Sequence, residues 1–202
     1  MTKNAANANK HTAASTRTLT GVSILSAVVV VLTILCNYVK FGPFSITLAL
    51  APIIIGAAVY GVKSGAILGL VFSLVVAVTG ILGMDGGVVL QLMAINTPAT
   101  LAIILIKGTA AGLVSGWVYT LLAGKNQFAA VLLAGIVCPI VNTGLFLIGM
   151  FTFFHETLAA WTGTSAVLSI IIAMTGINFL IELAVNIVLS SAIVRIIRTV
   201  QK

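Results

Sequence analysis

Lys107 is the charged residue whose surroundings point most directly to chemistry. It lies in an apolar run from Asn96 to Gly116. The Thr97-Pro98 pair near its beginning predicts a helix start, with the Thr97 hydroxyl as the cap. The lysine lies roughly 14 Å along that helix, close to the midplane if the helix crosses a bilayer of about 30 Å. A cation at that depth is costly, so it needs a partner or a ligand.

A second polar feature lies on the last predicted helix, where polar residues recur at spacings of three and four. This spacing places them on one side of the helix, and because lipid would penalise that side, we expect it to face the bundle. They are Thr175, Asn178, Glu182, Asn186 and Ser190. Asn142 and Thr143 follow Pro139 in the preceding helix at a similar depth. Together these residues could surround a pocket open to the outside.

Lys107 and Glu182 allow two interpretations. They could form an ion pair that neutralises both charges, or Lys107 could receive an anionic group of a ligand with Asn142 and Asn178 as hydrogen-bonding partners. The two can coexist, because a lysine–glutamate pair can share a group of the ligand. Trp161 is either an interfacial anchor or an aromatic lid residue. The candidate substrate-binding residues are Lys107, Asn142, Asn178, Glu182, Asn96, Thr143 and Trp161.

Signatures of enzymes are missing from the chain. No Gly-x-x-x-x-Gly-Lys-Ser/Thr motif occurs, so no ATP site of the P-loop kind is expected. The two histidines lie in the N-terminal segment and in a loop, which leaves no Ser–His–Asp set. The three acids, Asp85, Glu156 and Glu182, provide no membrane-embedded carboxylate pair. We therefore expect a protein that is not an enzyme and that has neither a metal site nor a cofactor.

The composition is that of an integral membrane protein. Of 202 residues, 60% are hydrophobic and only 6% are charged, which is more apolar surface than a soluble domain could bury. The length allows about six spans. Cys36 and Cys138 fall inside predicted helices and are interpreted as packed thiols rather than as a disulfide.

The expected fold is an all-α membrane protein with six transmembrane helices in a compact bundle. Residues 1–17 are polar and low in complexity, which predicts a disordered cytoplasmic tail, and residues 18–202 form the substrate-binding domain. A short apolar piece between helices 3 and 4, residues 88–95, predicts a re-entrant or capping helix. The predicted spans are 19–39, a second ending near residue 60, 63–82, 98–123, 127–154 interrupted by Pro139, and 167–197.

The distribution of basic residues predicts the orientation of the bundle. Lys40 falls on one side of the six-span layout and Lys107 inside it, whereas the other basic residues fall on the opposite side. This positive-inside pattern places both termini in the cytoplasm. The net charge of +7 therefore indicates membrane orientation rather than a nucleic-acid site. The longer outer segments, 40–47, 83–96 and 155–165, suggest a mouth and a lid on that face.

Glycines recur at a spacing of four in two runs, at 61, 65 and 69 and at 108, 112 and 116. Small residues on one helix face allow another helix to approach closely. The packing of helices within the membrane explains either run, and the alternative is that one such face binds a partner protein. Ser23 and Ala27 form a further pair of small residues. The candidate docking residues are Ser23, Ala27, Gly61 and Gly65.

Several of these segments resemble the substrate-specific (S) components of energy-coupling factor (ECF) transporters. They are Ala-Pro-Ile-Ile-Ile-Gly at 51–56, Tyr-Gly-Val-Lys-Ser-Gly-Ala at 60–66, Pro98 with Leu-Ile-Lys-Gly at 105–108, and Ala-Gly-Leu-Val-Ser-Gly at 111–116. The resemblance covers all but the tail. The stretch 141–149, Val-Asn-Thr-Gly-Leu-Phe-Leu-Ile-Gly, is most similar to the pantothenate-specific members.

The resemblance implies a six-helix, vitamin-binding subunit of an ABC-type importer in the bacterial cell membrane. It implies that the vitamin is held in the outer half, and that the partners are a transmembrane T component and two ATPases. Small-residue faces of the early helices would meet the T component. Pantothenate has one carboxylate, two hydroxyls and an amide, which suits one lysine with amide side chains.

Three alternative hypotheses of function compete with that of a pantothenate-binding subunit. Folate or riboflavin would also find hydrogen-bond donors in this pocket. An ion-coupled secondary transporter would act without partner subunits, but the chain has a single buried acid and no convincing inverted repeat. A membrane scaffold would bind no ligand, and the polar face at mid-depth counts against it.

Overall fold

The computed structural model describes residues 2–200 except 39, 42–43, 46 and 164–165. Its elements are α1 (Thr2–Cys36), β1 (Lys40–Phe41), β2 (Phe44–Ser45), α2 (Leu50–Tyr60), α3 (Val62–Ile81), α4 (Val88–Ala123), α5 (Gln127–Phe153), α6 (His155–Thr162) and α7 (Val167–Val200). The prediction of an all-helical membrane protein is confirmed. The two short strands pair antiparallel, with Lys40 opposite Ser45, where the sequence predicts a turn.

Five of the described helices contain stretches long and apolar enough to cross a membrane. They are Thr16–Cys36, α3, α4, α5 and Phe179–Thr199. The expected sixth span, α2, has 11 residues and a length of roughly 16 Å, about half of what a bilayer requires. A membrane span at α2 is therefore not shown among the described residues, and the six-span bundle stays a prediction.

Helix α2 is instead the centre of the bundle. It contacts α1, α3, α4, α5 and α7, and the side chains of Leu50, Ile53 and Ile54 are fully buried. A helix that is apolar on all sides must be covered by other apolar groups, and here the neighbouring helices cover it. The segment before α2 is therefore held against the middle of the protein, where it reaches the candidate site.

Helices α3 and α4 pack closely because their glycine runs face each other. A Cβ added at Gly65 would lie 2.6 Å from the Gly112 carbonyl oxygen, and one added at Gly69 would overlap the Gly108 carbonyl. Packing within the bundle thus explains these glycines. Gly65, predicted to dock a partner, lies buried in this interface and not on a free outer face.

Helix α4 consists of two helical parts joined at Asn96, whose φ of −153° and ψ of 89° are not helical. The expected short helix before this point is therefore present. The Asn96 side-chain oxygen accepts a hydrogen bond from the Ala99 N–H at 3.1 Å and caps the second part. Thr97 Oγ1 donates to the Met93 carbonyl at 2.7 Å, so the prediction that Thr97 is the cap is wrong. Pro98 lies in the first turn, where its missing N–H costs nothing.

Two predicted irregular segments are helical in the structure. The outer segment 155–165 contains α6, whose buried Leu158 packs with Phe154 and Met150. Helix α1 begins at Thr2 and includes the residues predicted to form a disordered tail. That this segment is a disordered cytoplasmic tail is not tested by the helix assignment and stays a prediction. The side chains of residues 2–15 lie outside the described part of the chain.

Candidate functional site

A cavity of about 150 Å³ lies between the helices. It is lined by the C-terminal end of α1, the residues before α2, the second half of α3, both parts of α4, the second half of α5 and the first half of α7. These are the halves that the charge pattern assigns to the outer side of the membrane. Polar side chains that line it include Asp85, Lys107, Asn142, Thr143 and Glu182. The remaining lining is mostly apolar, as is typical of small-molecule sites.

Lys107 lies in α4 and faces this cavity rather than lipid. Its Nζ lies 5.0 Å from the ring centroid of Phe146 on α5, a cation–π contact. The ring electrons offset part of the cost of a cation in apolar surroundings, but the ring supplies no oxygen or nitrogen acceptor for the N–H donors of the ammonium. A ligand that enters the cavity could supply those acceptors.

Glu182 lies in α7 with 5% of its surface exposed. Its Oε1 accepts a hydrogen bond from the Thr47 backbone N–H at 2.8 Å, and its buried Oε2 has no hydrogen-bond partner among the described residues. Within the described part of the chain, neither oxygen is hydrogen-bonded to Lys107. The direct ion pair that was one of the two sequence interpretations is thus not formed, although both residues line the same cavity.

Asn142 and Thr143 also line the cavity, from α5. Asn142 is 5% exposed, and no described residue donates a hydrogen bond to its buried Oδ1. One turn beyond Glu182 on α7, Asn186 and Ser190 are buried, as the helical spacing predicts, but they do not line the cavity. Four of the predicted residues, Lys107, Asn142, Thr143 and Glu182, are therefore brought together at one site.

Two of the other predicted binding residues, Asn96 and Trp161, do not line the cavity. The side chain of Asn96 caps α4, and Trp161 packs with the apolar cluster that contains Leu158. Asn178 was predicted to hydrogen-bond the ligand, but its side chain, like that of Thr175, lies outside the described residues. Of the predicted docking residues, Ser23 and Ala27 are exposed on α1, and Gly61 joins α2 to α3 with a φ of 94°.

The site also contains residues that the sequence argument did not select. Asp85 caps the start of α4, where its two oxygens accept hydrogen bonds from the N–H groups of Gly87 and Val89. An aspartate shortly before an apolar helix is a capping signal, so its position could have been found. Phe146 follows Asn142 by four residues, and helical spacing could have placed it on the same face. No local signal indicated Thr47.

The arrangement is that of a binding chamber with one cation and several oxygen acceptors. Among the described residues, no three His, Cys, Asp or Glu side chains come together to hold a metal ion. The chamber can receive a small molecule that has an anionic group for Lys107 and hydrogen-bond donors for the buried oxygens of Glu182 and Asn142.

Comparison with models of known families matches residues 17–194 to the family described as ECF transporter, substrate-specific component. The match includes every described residue that lines the cavity. No curated protein and no solved structure gives a match.

Proposed function

Because the chain belongs to the family of ECF transporter substrate-specific components, we propose that its cavity binds pantothenate for import. A substrate-specific component is a non-catalytic subunit of a transporter in the cell membrane, and it works with a T component and ATPases. The chain is accordingly a multi-pass membrane protein whose task is to bind the substrate.

The observation that carries the choice of pantothenate is the Lys107 ammonium in the cavity without a carboxylate partner among the described residues. Pantothenate has one carboxylate to place against this cation. Its hydroxyls and amide N–H are donors that the oxygens of Glu182 and Asn142 lack. The apolar lining from α4, including Ile103 and Ile104, suits the two methyl groups of the vitamin.

The size of the cavity also supports a small vitamin. Its volume of about 150 Å³ is roughly ten times what one water molecule needs. A short open-chain acid such as pantothenate is of the matching scale. Riboflavin and folate are bulkier molecules with fused rings, so we rank them as alternative substrates below pantothenate.

We further propose that two ATPase subunits and a T component of a bacterial membrane complete the transporter. The face of α1 that carries Ser23 and Ala27 is exposed and is free to meet the T component. Gly61 stays a candidate at the α2–α3 junction. Gly65 is not proposed for docking, because α4 covers it.

The choice of substrate is tested by measuring the thermal stability of the purified chain in the presence of each vitamin of a panel. A ligand that binds only the folded state adds about 2.7 kcal/mol at a hundred times its Kd. Pantothenate is expected to raise Tm by several degrees without nucleotide, whereas riboflavin and folate leave it unchanged. A shift with riboflavin or folate alone would reassign the substrate.

Uptake into liposomes by the chain alone under an ion gradient would instead indicate a secondary transporter.

Cys36 provides an independent measure of whether the cavity is occupied. It lines the cavity, whereas Cys138 is fully buried in the core, and both thiols are free. A small thiol reagent is expected to label Cys36 faster than Cys138, and pantothenate is expected to slow that labelling. Mass spectrometry of the two peptides gives both rates. Labelling of Cys36 that pantothenate leaves unchanged would place the vitamin elsewhere.

A further inference from the structure

Two residues that line the cavity each have a buried side-chain oxygen without a hydrogen-bond partner in the part of the chain that the structure describes. The oxygens are Oε2 of Glu182 on α7 and Oδ1 of Asn142 on α5, and each residue is 5% exposed. Buried acceptors are almost always paired in folded proteins, because an unpaired one has lost its water without a replacement. Since both residues line the cavity, a ligand there can supply the missing donors.

The Glu182 carboxylate is held in position by the chain itself. Its Oε1 accepts the Thr47 backbone N–H at 2.8 Å, so one oxygen is fixed by the segment before α2, whereas no described residue binds the other. An acceptor whose position is fixed before the ligand binds loses little conformational entropy on binding. Such an acceptor discriminates strongly between ligands, because a ligand without a donor leaves it unpaired.

The charges of the site also orient the ligand. A carboxylate of the ligand is attracted by Lys107 and repelled by Glu182, so it must lie at the lysine. The part of the ligand that faces Glu182 must then carry donors and no negative charge. A molecule with a carboxylate at one end and hydroxyls at the other satisfies both requirements.

We propose that Glu182 is the specificity-determining residue of the site, with Oε2 accepting a hydroxyl hydrogen of the ligand. Asn142 Oδ1 provides a second acceptor for a hydroxyl or an amide N–H. The site thus selects hydroxylated carboxylic acids over carboxylic acids of similar size that lack donors. This inference rests on the proposed function, because it takes the carboxylate to be bound at Lys107.

The test measures how much affinity is lost when the hydroxyls of the ligand are removed. Pantothenate and its analogue without the two hydroxyls are titrated into the purified wild-type chain, into Glu182→Met and into Asn186→Leu. Met is similar in size to Glu but offers no comparable acceptor. Asn186 lies one turn deeper on the same helix, is buried and does not line the cavity, so its variant is the matched control.

In the wild type, loss of the hydroxyls is expected to weaken binding about 10- to 100-fold, because hydrogen bonds to charged groups are the strong ones. In Glu182→Met, removal of the hydroxyls is expected to weaken binding less than about 3-fold. In Asn186→Leu, it is expected to weaken binding as much as in the wild type. Comparing the two ligands within each variant cancels any general weakening of the site. If Glu182→Met does not fold, Glu182→Gln is used, and its penalty is expected to fall below that of the wild type.

The outcomes separate this inference from the proposed function. An equal hydroxyl penalty in the wild type and in the Glu182 variant overturns the role of Glu182 and leaves pantothenate as the substrate. If the hydroxyl penalty decreases as much in Asn186→Leu as in Glu182→Met, the role of Glu182 is also overturned, because the effect would then reflect a general change in α7. No binding of pantothenate by the wild type overturns the proposed function and this inference with it.

Discussion

Replacing Lys107 by methionine is expected to weaken pantothenate binding at least about 30-fold. Losing one partner of a buried, charged hydrogen bond costs about 2–5 kcal/mol, and each 1.4 kcal/mol or so is a factor of ten. Isothermal titration of the purified protein gives the affinity. Because methionine places an apolar chain where a cation stood in low-dielectric surroundings, the empty variant is expected to be at least as stable as the wild type.

Two controls separate the charge of Lys107 from other effects of its replacement. Lys125→Met changes an exposed lysine in the turn between α4 and α5 and is expected to leave the affinity unchanged. The alcohol analogue of pantothenate, which lacks the carboxylate, is expected to bind weakly and equally to the wild type and to Lys107→Met. A Lys107→Met protein with wild-type affinity for pantothenate would remove the lysine from the site and with it the main support for this substrate.

Replacing Gly69 by alanine is expected to lower the stability of the protein by about 1–3 kcal/mol, the usual cost of overpacking a tight interface. The added Cβ would overlap the backbone of Gly108, so α3 and α4 must move apart. Since no flexible side chain can yield there, the strain falls on the two helices. The thermal midpoint of the purified protein in detergent measures the effect.

Gly144→Ala is the matched control for this substitution. Gly144 lies inside α5, and a Cβ added there meets no atom within 4 Å. Alanine is the better helix former by up to about 1 kcal/mol, so this variant is expected to be as stable as the wild type or slightly more stable. Equal melting temperatures of Gly69→Ala and Gly144→Ala would show that close packing of α3 on α4 does not hold the bundle together.

The candidate site was predictable from the sequence to the extent that it depends on helix periodicity. Residues that recur every three or four positions must share a face, so Glu182, Asn186 and Ser190 were correctly expected to be buried. The choice between a bound ligand and an ion pair for Lys107 could not be made in this way. It depends on which oxygen lies nearest to the ammonium, and that is set by how α4, α5 and α7 pack.

The prediction for Asn96 shows where local reasoning was insufficient. Its type and depth fit a binding residue, yet its side chain caps the second part of α4. Thr97 and Asn96 are both good capping residues, and which of them caps depends on the backbone angles at the bend. Sequence pattern defines the start of a helix only to within one or two residues.

The sequence by itself determined that this is a helical membrane protein, where its long helices lie, and that a lysine and a glutamate are placed deep among apolar residues. These properties follow from hydropathy and periodicity, which are local along the chain. Only the tertiary structure decided that the short α2 is the centre of the bundle and that the two glycine runs face each other. It also joined Thr47 to Glu182, 135 residues away, because such a contact depends on which helices become neighbours.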